Sequence, residues 1–360
     1  MLLRYFCLIL VFFSLNTDTY AQNDSVKRKK LLVFPVIAKS IETGWSFGTV
    51  GSLTYRLSQK DTVSRTSNMQ LLLLYSTKKQ LITALNGSQY FDKEKYILNE
   101  QFSFSSYPDK FWGLGTGTPD SVVEPYKFNQ YYLYLHLLRK IAKDLFVGAL
   151  FETQKVWDIE YQAGGLFDKQ NVLGRKGYHV SGLGSSITYD TRNNAFSPDK
   201  GVFCQVSCNH FDKYWGSDYN YTNIIADLRA YFSVAKTQVL AFQLYSFNNA
   251  GEVPIRSLAS FGGANRMRGY YDGRYKDLDQ LFLQGEYRFP IYKRFGAVAF
   301  CGAGNVGKTA TDYSIADLRL SYGAGLRIAL QPKEKLNLRI DYGIGQGNNS
   351  GFYLQLAEAF

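Results

Sequence analysis

Few side chains in this sequence could serve as a nucleophile, a catalytic base or a metal ligand. The chain has three histidines, and His179 lies two residues before Ser181. On a β-strand this spacing puts both side chains on one face, as a nucleophile and its base require. No polar residue that would orient the imidazole is evident, so we interpret His179 as an ordinary histidine at a strand rim, and His136 as an interface residue. The sequence therefore predicts no enzymatic activity.

The cysteines predict neither a metal site nor a disulfide framework. Cys7 belongs to the leader described below, which leaves Cys204, Cys208 and Cys301. On one strand, Cys204 and Cys208 would share a face at a separation of about 13 Å, beyond the reach of a disulfide. An odd number of cysteines in an exported chain is better explained by small apolar side chains. We expect no metal and no cofactor.

The beginning of the chain predicts export. Residues 1–21 contain a basic position, Arg4, then the apolar stretch 5–15 and a small-residue cleavage site at Thr19-Tyr20-Ala21. This pattern is typical of a secretory signal peptide. The basic residues 27–30 follow, and they either contact an anionic membrane surface or form a solvated tail. Elsewhere the residues behind the net charge of +11 are scattered and form no stripe, so we expect no nucleic-acid partner.

The elements that must position any site are β-strands. The chain contains 28 Tyr and 26 Phe residues, which favour strands, and after residue 21 no apolar run is long enough for a membrane-spanning helix. From residue 31 onward, apolar and polar residues alternate over about ten residues at a time, the length of a tilted strand that crosses a bilayer. In 318–328, for example, Leu, Tyr and Ile lie on one face and Arg and Ser on the other.

Sixteen segments of this kind are predicted, and an even number is typical of bacterial outer-membrane barrels. They lie at 30–37, 44–57, 68–77, 80–91, 94–106, 130–140, 143–154, 178–190, 201–211, 221–234, 237–250, 280–290, 294–305, 318–329, 336–346 and 350–360. We therefore predict an all-β fold, a transmembrane antiparallel β-barrel of sixteen strands in residues 31–360. Residues 1–21 would be the signal peptide and 22–30 a short basic periplasmic segment.

The connections between these segments also favour a barrel. Those after even-numbered segments are mostly short, such as 234–237, whereas those after odd-numbered segments include the long stretches 107–129, 155–177, 251–279 and 306–317. Short turns on one rim and long loops on the other are typical of outer-membrane barrels, with the long loops facing outward. The sequence thus predicts the outer membrane of a Gram-negative bacterium, whose lipids would be its first partners.

The connection 251–279 contains a motif that carries a family resemblance. Its segment Ser260–Tyr270 resembles the loop-six signature of the bacterial surface antigen family, the barrel of outer-membrane assembly factors of the BamA and TamA type and of two-partner secretion transporters. Other motifs of the family occur in its order and on the expected strands. They are Tyr189-Asp190-Thr191-Arg192 followed by Pro198 and Gly201, then Gly285–Pro290 and Phe300–Val306. The resemblance covers about the last half of the chain.

The resemblance implies that this long extracellular loop folds back into the lumen, where the arginine of the motif meets acidic side chains on the following strands. In this sequence the motif residues are Arg268, Gly269 and Tyr270. By alternation Glu286 points into the lumen, and we predict that Arg268 pairs with it as a tether. The alternative is that Arg268 contacts only loop carbonyls and water.

The sequence departs from the family in two places. Where the family has an Asp on the thirteenth strand, this chain has Gly302, so the second acid of the tether is missing. Either the tether is weaker, or Asp341, on the inward face of the fifteenth strand, replaces that acid. With the predicted signal peptide removed, 22–30 would precede the predicted first strand, so we expect none of the POTRA domains that family members usually carry. The loop glycines Gly262 and Gly263 are interpreted as permitting tight turns.

The first and last strands of a barrel meet at a seam. Pro35 in the first strand cannot donate to a ladder, so the seam should have fewer hydrogen bonds than other strand pairs, unless the missing donor points to the membrane rim. The last strand alternates through Phe352, Leu354 and Leu356 and ends at Phe360. This ending resembles the C-terminal signal by which outer-membrane barrels are recognised for assembly.

Two functions are compatible with the resemblance. The first is assembly or translocation of proteins or lipids at the outer membrane, with other envelope assembly proteins or client polypeptides as partners. The second is a passive pore or structural barrel without assembly activity, because a fold does not fix a function. Arrested barrel precursors after depletion would favour the first, and conductance with little effect on other barrels would favour the second.

Overall fold

The computed structural model describes residues 29–58, 61, 64–194, 197–331 and 335–360. Sixteen of its strands pair in chain order, each antiparallel to its neighbours, and close into a barrel where β1 meets β18. The barrel strands are β1 (Lys29–Ser40), β2 (Gly44–Tyr55), β3 (Ser67–Ser76), β4 (Leu81–Phe91), β5 (Tyr96–Phe111), β6 (Glu124–Ala142), β7 (Leu145–Glu160), β8 (Tyr178–Asp190), β9 (Gly201–Phe211), β10 (Tyr221–Ala235), β11 (Gln238–Gly251), β14 (Asp279–Tyr292), β15 (Phe295–Gly307), β16 (Arg319–Gln331), β17 (Leu336–Gly345) and β18 (Ser350–Leu356). Two short strands, β12 (Ala259–Phe261) and β13 (Tyr275–Asp277), form a separate sheet.

The predicted barrel of sixteen strands is confirmed, and most predicted bounds agree with the structure to within a few residues. Strands β5, β6 and β7 extend further toward the long loops than predicted. Their additional residues keep the inward and outward alternation, with Asp109 opposite Tyr126 and Phe111 opposite Glu124. The predicted signal peptide and residues 22–28 lie outside the described residues.

The alternation turns apolar side chains outward and polar ones into the barrel. On β14, Leu281 and Leu283 are exposed on the outer surface, whereas Gln284, Glu286 and Arg288 are buried inside. An apolar outer face around a polar interior is the arrangement of a transmembrane barrel, because acyl chains replace water on the outside. The faces predicted for this strand are the observed ones.

The two rims of the barrel differ, as the sequence predicted. On one rim, which we call the turn rim, β6–β7 and β10–β11 are joined by 143–144 and 236–237. The opposite rim, the loop rim, carries long connections that include 112–123, 161–177 and 308–318. None of the helices in the described part of the chain is long and apolar enough to span a membrane.

The sixth connection on the loop rim, 252–278, lies inside the barrel, and we call it loop six. It contains β12 and β13, which pair as a hairpin that the sequence did not predict, because strands of three residues are too short to show alternation. Met267, Arg268 and Tyr270 in this loop are at most 1% exposed. Loop six is therefore a folded part of the barrel interior.

An apolar cluster surrounds the beginning of loop six in the loop-rim half of the barrel. Val253 and Ile255 of loop six are buried in this cluster. The aromatic residues around them include Phe111, Tyr126, Phe128, Phe167, Tyr178, Phe211 and Tyr221. The extensions of β5 to β7 supply several of these side chains, which explains why the strands continue past the predicted ends: their inward faces bury apolar area against loop six.

The barrel closes at a weak seam. β1 pairs with β2 along its whole length, from Lys29 to Ser40, but its register with β18 consists of one pair, Lys39 opposite Leu354. β18 ends at Leu356. The residues that would continue it along β1, 357–360, turn into the lumen instead.

Candidate functional site

Arg268 of loop six lies between two carboxylates of the barrel wall. Its Nη2 is 2.5 Å from Oε1 of Glu286 on β14, and its Nη1 is 2.6 Å from Oδ2 of Asp341 on β17. All three side chains are at most 1% exposed. A guanidinium buried so deeply requires partners of opposite charge, so these contacts hold loop six against this wall. The structure thus brings Arg268 to both acids that the sequence singled out.

A sulfur and an aromatic ring occupy the region where the family has its second acid. A Cβ built on Gly302 would lie 3.1 Å from Sδ of Met267 and 3.1 Å from Cβ of Gln284, so no acidic side chain fits there without displacing them. Phe300, two residues earlier on β15, lies beneath Arg268, whose Cζ is 3.5 Å from the ring centre. β15 therefore contributes a cation–π contact to Arg268 in place of an ion pair.

The backbone of loop six approaches the wall closely at Gly269. Its φ is +111°, and a Cβ there would lie 2.6 Å from the backbone nitrogen of Gly345 on β17. At Gly262, with φ of +125°, a Cβ would lie 2.0 Å from the carbonyl oxygen of Tyr271. Gly263 follows with φ of +85°. These glycines permit turns that a side chain would block, in accordance with their interpretation from the sequence.

Tyr270, the last residue of the motif, connects loop six to two further barrel elements. Its hydroxyl donates to the carbonyl of Leu320 on β16 at 2.7 Å and accepts from the backbone N–H of Gln346 at 2.7 Å. Its ring packs against Phe261 and Tyr275 of the loop-six hairpin. The motif therefore joins the hairpin to β16 and to the β17–β18 turn.

Tyr353, on the inward face of β18, is a contact of loop six that the sequence analysis missed. Its side chain is fully buried. Its hydroxyl accepts from the backbone N–H of Gly269 at 3.0 Å and donates to the carbonyl of Tyr270 at 3.3 Å. The signal was available, because Tyr353 lies between Phe352 and Leu354, two of the alternating residues that the sequence analysis named on this strand. Loop six is thus bonded to the last strand of the barrel.

The carboxylates that hold Arg268 belong to a closed ring of alternating charges, which we call the charge ring. In order, its members are Arg268, Glu286, Arg288, Glu358, Arg327 and Asp341. The N···O distances between successive members, returning to Arg268, are 2.5, 2.7, 4.0, 2.7, 2.5 and 2.6 Å. Three cations and three anions alternate, so the charges of the ring balance inside the barrel.

A fourth arginine, Arg339 on β17, lies beside the charge ring. Its Nη1 is 3.6 Å from Oδ2 of Asp341, and its Nη2 donates to the side-chain oxygen of Asn265 in loop six at 2.8 Å. Arg339 is 1% exposed. It therefore adds a second side-chain bond between β17 and loop six.

The last residues of the sequence are not where the strand pattern placed them. β18 ends at Leu356, and Ala357 has a φ of +65°, which turns the chain inward. Glu358 joins the charge ring, and Phe360 is buried against Tyr231 of β10. The prediction that the last strand runs over 350–360 is wrong at its end, because the arginines of the ring pair with Glu358 inside the lumen.

The other predicted seam residues lie on the outer surface. Pro35 is opposite Thr49 of β2, in the part of β1 that has no partner on β18 within the described strands. Leu354 belongs to the one seam pair, and Phe352 and Leu356 are exposed on the same outward face. Their arrangement leaves the turn-rim half of the seam without a ladder.

A second arginine of loop six, the half-buried Arg256, contacts the opposite wall of the barrel. Its Nη1 is 3.1 Å from Oδ2 of Asp109 on β5, and its Nη2 donates to the hydroxyl of Tyr107 at 3.0 Å. Its guanidinium lies 4.7 Å from the ring centre of Phe128. The sequence analysis missed this contact because it ended β5 before Tyr107. With Arg268, it fixes loop six at two walls.

At the loop rim, loop six also contacts two other loops. Nη2 of Arg274 is 2.7 Å from Oδ1 of Asp120 in the β5–β6 loop. The backbone N–H of Asp272 donates at 2.7 Å to Oε1 of Glu42, which lies in the turn between β1 and β2. Burial and, after it, the negative charge of Asp272 raise the pKa of Glu42 to about 7. Loop six therefore contacts both sides of the seam, through Tyr353 and through Glu42.

The predicted turn motif lies at the turn rim between β8 and β9. Nε and Nη2 of Arg192 donate to the two carboxylate oxygens of Asp190, each at 2.9 Å, and the guanidinium lies 4.4 Å from the ring centre of Phe203. Pro198 is buried, and Gly201 begins β9 with φ of +104°. These residues stabilise the turn. In the described part of the chain they make no hydrogen bond or ion pair with loop six.

The structure does not bring His179 to Ser181. Nε2 of His179 lies 2.8 Å from Oγ1 of Thr153, and its Nδ1 is 2.8 Å from a backbone carbonyl. Instead, Nε2 of His136 lies 2.7 Å from Oγ of Ser186 inside the barrel, so the interpretation of His136 as an interface residue is wrong. These two residues are fifty positions apart, and no short spacing reveals them. Among the described residues no carboxylate bonds to His136 to complete a triad.

The cysteines lie apart from this region. Cys204, Cys208 and Cys301 are all unpaired, and the last two are exposed on the outer surface. Over the ranges that the structure describes, no three His, Cys, Asp or Glu side chains are grouped so that they could hold a metal ion.

Comparisons with known proteins agree with this geometry. Residues 90–360 match the family model described as the Omp85 superfamily domain. No curated protein shows a significant match. The chain is similar to BamA from Haemophilus ducreyi lacking POTRA domains 1–3, with 15% identity and a TM-score of 0.59, over 91% of this chain and 70% of that one.

Two further solved structures are similar. They are CdiB from Acinetobacter baumannii (13% identity, TM-score 0.58, 91% of this chain and 59% of that one) and CdiB from Escherichia coli (10% identity, TM-score 0.59, 91% and 67%). The chain therefore spans 59–70% of the lengths of these three proteins. At such low identities the likeness shows a shared barrel fold, and the family match extends over more than half of the chain.

Proposed function

Because the chain belongs to the Omp85 superfamily, we propose that it is an assembly or translocation barrel in the outer membrane of a Gram-negative bacterium. It acts on client polypeptides or lipids, together with separate envelope proteins. Its apolar outer face supports a position in the bilayer. The family match and the BamA-like fold support the general role.

The observation that carries this proposal is the seam. Among the described residues, Lys39 and Leu354 are the one pair between β1 and β18, and no described residue pairs with β1 on this side over 29–38. An unpaired strand edge is a template for another extended chain, which can pair with it through backbone hydrogen bonds. Opening the barrel here breaks few hydrogen bonds, each of which contributes only about 1 kcal/mol net. A client strand could therefore add to β1 without unfolding the barrel.

The arrangement of loop six favours a lateral route through the seam and disfavours a wide central pore. Arg256 and Arg268 bind opposite walls, so loop six crosses the lumen between them. A passive pore requires an open lumen, whereas a lateral exit requires a seam that can be held shut and released. Loop six contacts β18 through Tyr353 and the turn that follows β1 through Glu42. With these contacts, a movement of loop six would control the seam.

The proposal is tested by locking the seam. In a chain whose three exported cysteines are replaced by alanine, Lys39→Cys and Leu354→Cys would place two thiols on directly opposite residues, where a disulfide can form. The matched control is Leu53→Cys with Met69→Cys. These two residues lie opposite each other on the outward face of β2 and β3 and stay together when the seam opens. Maturation of other outer-membrane barrels is followed in cells that depend on each variant.

We expect barrel precursors to accumulate with the oxidised seam lock and to mature normally with the reduced seam lock or with the oxidised control. Normal maturation despite a fully formed seam disulfide contradicts a lateral assembly role. If the purified barrel also conducts ions equally well with the seam locked and unlocked, it is a passive pore.

A further inference from the structure

The last four residues, 357–360, which we call the end segment, are bound inside the lumen. Oε2 of Glu358 accepts from Nε of Arg327 at 2.7 Å. The carbonyl oxygen of Phe360 accepts from Nη2 of Arg288 at 3.0 Å. The side chain of Glu358 is 2% exposed. The polar groups of the end segment thus meet β14 and β16 at buried, charge-assisted contacts.

The apolar part of the end segment binds a different wall. The ring of Phe360 packs in a cluster with Tyr231 on β10 and with Val239 and Ala241 on β11. The backbone N–H of Ala357 donates to a carbonyl of β17 at 2.9 Å, which fixes the start of the turn. The end segment therefore reaches across the turn-rim half of the lumen, from the seam strand to β10 and β11.

The seam register defines a second position that the end segment could occupy. Since Lys39 is opposite Leu354, continued antiparallel pairing would place Glu358 opposite Pro35. Proline has no N–H to donate there. The alternation would also turn the carboxylate of Glu358 toward lipid, without a cation. Both features disfavour extension of β18, and the arginines of the charge ring favour the lumen.

We propose that the end segment is a lumenal latch: an acidic and aromatic peptide that binds the inner wall in place of extending β18, and whose binding is coupled to that of loop six. The coupling follows from shared partners. Arg288 and Arg327 each contact Glu358 and also one of the two carboxylates that hold Arg268. Without Glu358, each arginine loses one of its two acidic partners among the described residues, and it draws the remaining carboxylate away from Arg268.

The latch acts on the seam as well as on loop six. While the end segment is bound in the lumen, β1 keeps a free edge at 33–36. When the end segment is released, these four residues can pair with that edge and close the turn-rim half of the seam. Because coupling between two binding events is reciprocal, displacement of loop six also weakens the latch. The inference concerns contacts within the chain and is independent of any client.

The latch is tested by hydrogen exchange with mass spectrometry on the purified full chain in detergent. Glu358→Leu removes an anion from the charge ring and makes the end segment compatible with lipid. We expect the amides of 266–271 to exchange about fivefold faster or more, which is the lower range of such couplings, and those of 33–36 to exchange more slowly. The matched control is Glu160→Leu, an exposed glutamate at the end of β7 whose side chain is 69% exposed.

A second variant, Phe360→Ala, keeps every charge and removes the apolar anchor. It should also accelerate the exchange of 266–271, to a smaller extent than Glu358→Leu. If Glu358→Leu does not fold in detergent, Phe360→Ala alone tests the coupling between the latch and loop six. Exchange of loop six that is unchanged from the parent in the folded variants overturns the latch. The measurement needs no client, so its failure leaves the proposed function untouched, and the seam-lock experiment leaves the latch untouched.

Discussion

The wall formed by β14 to β17 and the seam between β1 and β18 share one pattern of alternation, yet they are held together in opposite ways. β14 and β15 pair from Asp279 to Tyr292, with a single shift in register between Pro290 and Tyr292, and the inward face of this wall carries most of the charge ring. The seam has one pair of residues and depends on side chains that reach it from loop six. Closure of this barrel therefore depends on tertiary contacts where a ladder is missing.

The largest expected effect comes from removing the arginine that joins loop six to the wall formed by β14 to β17. Arg268→Ala leaves Glu286 and Asp341 buried with fewer cations, and breaking a buried ion pair in this way costs about 3–5 kcal/mol. We expect an inserted barrel with lower resistance to thermal unfolding in detergent and with faster protease cleavage in loop six. The matched control is Arg266→Ala, since Arg266 lies in the same loop over the ring of Tyr245, 4.1 Å away, and is not a member of the charge ring. Equal stability of both variants would contradict the role of Arg268.

A double-mutant cycle sharpens this result. Glu286→Ala should resemble Arg268→Ala, and the double variant should be less destabilised than the sum of the two, because each single change leaves a buried charge without its partner. Contacting residues in one ion-pair network typically show interaction energies of about 0.5–3 kcal/mol. Unfolding free energies of the four chains give this value. Additive effects would mean that the contact between the two side chains does not contribute to stability.

Tyr353→Phe is the corresponding change on the seam side. It removes the hydroxyl that accepts from the N–H of Gly269 and donates to the carbonyl of Tyr270, while the aromatic ring keeps its packing. We expect a loss of about 1–3 kcal/mol, since the N–H is left buried without an acceptor, and faster hydrogen exchange at Gly269. Tyr322→Phe, on the outward face of β16, is the control, because its side chain is 55% exposed. Equal exchange at Gly269 in both variants would show that this hydrogen bond does not hold loop six.

The side-chain directions in the wall formed by β14 to β17 could be predicted from the sequence far better than the structure of the seam. The alternation of β14 and β17 is local, so it correctly gave the inward faces of Glu286 and Asp341. The contact between Arg256 and Asp109 joins residues 147 positions apart, and no local pattern reveals it. The turn at Ala357 escaped prediction for a related reason: the strand pattern continues to Phe360, and the arginines that draw the end segment inward lie on other strands.

The smallest effect concerns Glu42, the contact of loop six with the first side of the seam. Its pKa is raised from 4.5 to about 7, because burial and the charge of Asp272 disfavour the carboxylate. Between pH 4.5 and about pH 7, Glu42 of the folded chain keeps a proton that the unfolded chain has released. Protonated Glu42 therefore contributes to the stability of the fold fully below pH 4.5, and this contribution is lost as the pH rises through about 7. Glu42→Gln, which does not titrate, should reduce the difference in melting temperature between about pH 5 and about pH 8. Glu160→Gln should leave that difference as in the parent chain, because its side chain is exposed. An undiminished pH dependence in Glu42→Gln would show that the seam side of loop six does not respond to this group.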